Sequence, residues 1–147
     1  MDEPTVLDER LHILSVLYKE CGERNWNGAD AYKIESYHYT AAKKFLKLIP
    51  IVIPSPSQGI HPMGYFMFEW RHIRERKLTV SVDCHSETYT GLHYELVSGP
   101  LNTGGLVQLE EALPSVIARY LDLVQQKDYL AGEMRGGWES ALQNYLT

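Results

Sequence analysis

The chain has 147 residues, 44% of them hydrophobic and 22% charged, with a net charge of −5, which suits a single globular domain able to bury about 68–70% of its unfolded surface. No apolar run nears the roughly 18 residues of a membrane span, and the opening Met1, Asp2, Glu3 and Pro4 are acidic and unlike a secretory leader. The two cysteines, Cys21 and Cys84, lie far apart and predict free thiols in a reducing cytoplasm; a bridge between them has only the even count in its favour.

Residues 5–21 predict a helix. Thr5 and Asp8 have capping-box spacing behind Pro4, and Leu7, Leu11, Leu14, Tyr18 and Cys21 recur at helical steps, widened by Ile13 and Leu17. Gly22 stops it. Asn27 and Gly28 mark a turn, and Trp26 is expected to plug a gap between helices. A second helix is expected within residues 34–49. Ser36 is its cap, Tyr37, Ala41, Phe45 and Leu48 form its buried stripe, and Lys43, Lys44 and Lys47 lie on its wet side; Pro50 ends it. Residues 50–62 hold four prolines and predict an extended crossing segment, with Ile51, Val52, Ile53 and Ile60 buried.

Three runs then alternate apolar and polar residues: 65–70, 77–83 and 89–96. Successive strand residues point to opposite faces, so Phe66, Phe68, Trp70, Leu78, Val80, Val82, Leu92, Tyr94 and Leu96 share one side of an antiparallel meander. Glu69, Thr79, Ser81, Asp83, His93 and Glu95 share the other. Residues 71–76 are a charged hairpin tip and 84–88 a polar turn; residues 98–105, rich in glycine, predict a loop. A last helical region is expected over 106–127, split at Pro114, because proline suits a first turn and not a helix interior. Residues 138–145 suggest one more short helix in a tail, 131–147, that is free to dock on a partner. Helices at both ends of the sequence around a three- or four-stranded antiparallel meander sheet define an α+β two-layer sandwich, in a single domain covering 1–147, with one sheet face covered.

Asn25 to Ala31, the helix ending in Leu48, Ile49 and Pro50, and the strand-terminal Glu69 and Trp70 resemble a set of small uncharacterised bacterial proteins. Those proteins share a Trp-Asp/Asn-Gly turn, a helix ending in Leu-Pro and a Glu-Trp at a strand end, and many occur near mobile elements. The resemblance spans residues 23–97. It implies that Trp26, Glu69 and Trp70 belong to the signature of the fold, and it implies an antitoxin-like, immunity or anti-defence setting. The second hairpin turn departs from the usual Asp-Gly, with Asp83, Cys84, His85 and Ser86 in its place.

Three chemistries are open to the polar face. Glu69, Ser81 and His93 supply a carboxylate, a hydroxyl and an imidazole, the parts of a hydrolase-like general-base relay, with no nucleophile elbow or phosphate-cradling loop beside them. The histidines lack metal-ligand spacing; Asp83, His85 and His93 near the second turn are the nearest approach to a ligand set, and neither a metal nor another cofactor is expected. Residues 43–77 carry a local charge of +5 against −10 for the rest, so Arg71, Arg74, Arg76 and Lys77, extended by Lys43, Lys44 and Lys47, can meet nucleic-acid phosphates, with Tyr65 and Tyr89 stacking on bases. The mixture of tyrosines, Met67 and charges on that face favours a protein partner without catalysis. The expected contact residues are Glu69, Trp70, Arg71, Arg74, Tyr89 and His93; self-association is left open.

Overall fold

The first helix, α1 (Val6–Glu20), begins where the sequence caps it. The Asp8 N–H donates to Thr5 Oγ1 at 3.0 Å, and the Thr5 N–H donates back to the Asp8 carboxylate at 3.1 Å. The computed structural model describes residues 5–21, 34–72, 76–84 and 90–125. Trp26, the turn at Asn27 and Gly28, the connection 85–88 and the tail 131–147 lie outside the described residues. The second helix, α2 (Ser36–Leu48), starts one residue beyond Glu35, which takes the cap position expected for Ser36. The His38 ring explains the shift, because its Nδ1 accepts the Glu35 N–H at 3.1 Å.

Five strands follow: β1 (Ser57–His61), β2 (Tyr65–His72), β3 (Arg76–Cys84), β4 (Thr90–Ser98) and β5 (Leu101–Gln108). They form one antiparallel sheet in sequential order. The three or four expected strands are therefore five. The proline-rich segment contributes β1 as a short edge strand, confined between Pro56 and Pro62. The expected loop at 98–105 shrinks to a turn at Gly99, which has a positive φ of 57°, and Leu101 begins β5. Cys84 closes β3 and is buried, where a turn position was expected.

The glycines that resemble a loop are instead required by the sheet. A Cβ on Gly105 would lie 2.5 Å from Tyr94 Oη, because the Tyr94 ring crosses that position on its way to an edge contact with Tyr120. A Cβ on Gly104 would lie 2.6 Å from the Tyr94 main-chain oxygen. The last helix, α3 (Ser115–Gln125), starts directly after Pro114, whose carbonyl accepts the Ala118 N–H at 3.0 Å. Residues 106–108, expected to be helical, complete β5.

The helices cover one face of the sheet: α1 meets β1, while α2 and α3 pack on β2 and β3. The burial of β3 alternates residue by residue along its whole length, the signature of a sheet with one face hidden. Phe66, Phe68, Trp70, Leu78, Val80, Val82, Leu92 and Leu96 join Leu14, Phe45, Leu46, Ile117 and Leu121 in one core. Phe45 packs against Phe68 and edge-on to Trp70. Tyr18, Tyr37, Tyr39 and Tyr94 pack onto the same core, and Tyr120 is buried within it, which absorbs much of the tyrosine surplus.

Some apolar positions stay wet. Ile51 and Val52 turn outward, Val52 being 86% exposed, and Ile13 falls off the buried stripe of α1. Arg10 takes the inward position instead. Its guanidinium donates to Ser55 Oγ at 2.9 Å, to the carbonyls of Ile49 and Pro50, and to that of Ile53. These acceptors belong to the bend that carries the chain from α2 to β1, so Arg10 ties that bend to α1.

Candidate functional site

The opposite face of the sheet carries no helix among the described residues, and the register sets its side chains in rows. One row runs Gly59, Met67, Ser81, His93, Leu106; the next runs Ser57, Glu69, Thr79, Glu95, Gly104. Small residues on β1, β3 and β5 lower the floor, while Met67, Glu69, Lys77, His93, Glu95 and Leu106 rise around it. The result is an open trough of about 900 Å³ across all five strands.

Two groups of paired charges lie in and beside the trough. Glu69 faces Arg71 at 3.5 Å and Lys77 at 4.0 Å. His93 Nε2 lies 3.4 Å from Asp83 Oδ2, with the His93 side chain 54% exposed. Beyond Asp83 the Tyr65 ring stacks on His61, with centroids 4.6 Å apart and planes 5° apart. Burial first, and then the nearby Asp83 carboxylate, push the Tyr65 phenol above its usual range. Tyr65 is therefore a neutral hydrogen-bonding group at physiological pH.

The expected relay is rearranged. Glu69 and His93 sit on β2 and β4 with β3 between them and in different rows, so their main chains are about 12 Å apart. Each has a nearer partner of its own. The carboxylate beside His93 is Asp83, and Ser81 is the residue directly across from His93 in the β3–β4 register. The centre of the floor belongs to the interior strand β3, whose main-chain N–H groups are committed to the ladders on either side. It offers hydroxyls, carboxylates and an imidazole to a ligand.

One expected contact residue, Trp70, and one expected phosphate-binding residue, Arg76, leave the surface. Trp70 is buried, and its indole N–H donates to the Pro54 carbonyl at 2.8 Å. The alternation that gives Glu69 to the trough gives its neighbour to the core. Arg76 is only 3% exposed and reaches the Leu123 carbonyl at 3.5 Å, where a cation complements the C-terminal end of α3. Arg71 is exposed beside the trough, whereas Arg74, His85 and Tyr89 lie outside the described residues. Lys43, Lys44 and Lys47 belong to α2, behind the sheet, and cannot extend a basic patch across the trough. Lys44 pairs with Glu111 at 2.9 Å, and Lys43 lies over the Tyr39 ring.

The walls contributed by β1 and β5 escaped sequence reasoning, because neither segment was expected to be a strand. Their signal is present but short: Ser57, Gly59 and His61 alternate with Gln58 and Ile60, and Leu106 stands one residue beyond two glycines. Among the described residues no group of His, Cys, Asp or Glu has the arrangement of a metal site, and no helix is long and apolar enough to cross a membrane. Cys21 and Cys84 are both buried, and Cys84 Sγ lies 3.4 Å from Thr90 Oγ1. No protein-family model, curated protein or solved structure matches the chain significantly.

Proposed function

We propose that the chain is a macromolecule-binding protein that holds a protein partner in the trough, without turnover. The observation that carries this is the trough itself: a broad concave surface, bare of helices among the described residues, that mixes half-buried charges with Met67 and Leu106. Mixed apolar and polar lining on an open surface suits a protein segment, whereas a small-molecule site encloses most of its ligand. The resemblance over residues 23–97 supports a bacterial mobile-element setting and an antitoxin-like, immunity or anti-defence role. Two buried cysteines far apart in sequence support a reducing cytoplasm.

The test is affinity capture from a native host by the tagged chain, its Thr79→Arg and Ser81→Arg variants, and Lys47→Glu on the far side as a control. A stoichiometric partner should be retained by the wild type and Lys47→Glu, and retained at least tenfold less by the two arginine variants at unchanged melting temperature. Equal capture by all four proteins, or no stoichiometric partner, overturns the proposal. One observation favours a second reading as a hydrolase-like enzyme: His93, in the trough, has Asp83 at 3.4 Å and Ser81 directly across the ladder. In that case His93→Ala abolishes turnover while the fold persists.

A further inference from the structure

We infer that a second copy of the chain adds to the sheet at β5, pairing antiparallel with its counterpart across a two-fold axis and joining two troughs into one surface. This goes beyond the proposed partner binding and rests on the edge of the sheet. An edge strand leaves about half of its main-chain groups unpaired, and monomeric proteins block such edges with charge, proline, bulges or brevity. The edge at β1 is blocked: it is five residues long, with Pro56 before it and Pro62 after it. The edge at β5 carries none of these blocks. It is eight residues long, holds neither charge nor proline, and pairs with β4 without a break in register. Among the described residues no strand lies beyond it, and Leu106 is 51% exposed there.

The sequence of β5 also fits itself. Keeping both sets of helices on the same side requires residues of the same face to oppose one another. Centred on Gly105, the antiparallel register places Leu106 over the other copy's Gly104, Val107 opposite Thr103, and Gln108 opposite Asn102. Leu106 meets a glycine, two β-branched residues of like size meet, amide meets amide, and no like charges meet. The result is an isologous ten-stranded sheet with Leu106, a wall of the trough, at the junction.

Sedimentation velocity of the full chain over a concentration series tests this. Asn102→Lys with Gln108→Lys sets two lysine pairs across the axis, while Asn102→Lys with Gln108→Glu sets two lysine–glutamate pairs. Both positions are exposed, and circular dichroism confirms that each variant is folded. The wild type should dimerise, the Lys/Lys variant should dimerise about tenfold more weakly, and the Lys/Glu variant should recover. A wild type that stays monomeric at every concentration, or a dimer equally strong in the Lys/Lys variant, overturns the inference.

Discussion

Arg10 shows how one side chain can fix a connection that lacks secondary structure of its own. It is buried, no carboxylate faces it among the described residues, and its charge is met by Ser55 and three main-chain carbonyls. Burial lowers its pKa, but guanidinium titrates too high for this to matter near neutrality. Replacing it with alanine strands those carbonyls, so Arg10→Ala is expected to cost about 3 kcal/mol in urea unfolding, with Arg10→Lys recovering only part of the loss. Nothing local in the sequence reveals this role, because every acceptor lies about forty residues away in the chain. His38 makes a second prediction at this scale. Burial lowers its pKa, against the opposing pull of Glu35 and Asp83, and its neutral ring accepts the Glu35 N–H. Its contribution is complete above the unfolded value of about 6.5 and is lost as pH falls through the lower folded value. Urea midpoints should drop on acidification through that window, and His38→Asn should flatten the drop.

At the scale of elements, the central strands were legible because alternation is a property of adjacent residues. Tyr65–Trp70, Lys77–Asp83 and Thr90–Leu96 each declare a wet and a dry side, and the structure keeps both. The edge strands were not. In β5 the pair Gly104 and Gly105 has the composition of a loop, and what overrides that preference is the ladder with β4 and the Tyr94 ring lying over Gly105. Gly105→Ala should therefore destabilise the protein by about 1–3 kcal/mol through overpacking. The penalty should shrink when Tyr94→Leu removes the ring, a coupling that a double-mutant cycle by thermal melting would measure. The sequence offers Trp70 to both the core and the contact surface; the period-two rule leaves it only the core. Its Trp70→Phe variant should lose about 1–2 kcal/mol in urea unfolding, with the indole N–H bond to Pro54 gone and the cavity only partly refilled.

At the scale of the whole molecule, the division of labour is by side of the sheet. Helix-facing residues form one continuous cluster, and the charges of the bare side are long, partly exposed pairs that contribute little to stability. Substituting Thr79 or Ser81 should shift stability by no more than about 0.5 kcal/mol, measured by urea unfolding. The candidate site was only partly legible for a topological reason. Glu69, Ser81 and His93 could be assigned to one face from their own strands, but the pairing of His93 with Asp83 and the walls on β1 and β5 depend on register and strand number. One consequence of the two-sidedness concerns descent. Because alternate positions answer to different masters, a lineage can revise its outward vocabulary codon by codon while the inward half of every strand stays as it was, and so change allegiance without passing through an unfolded ancestor.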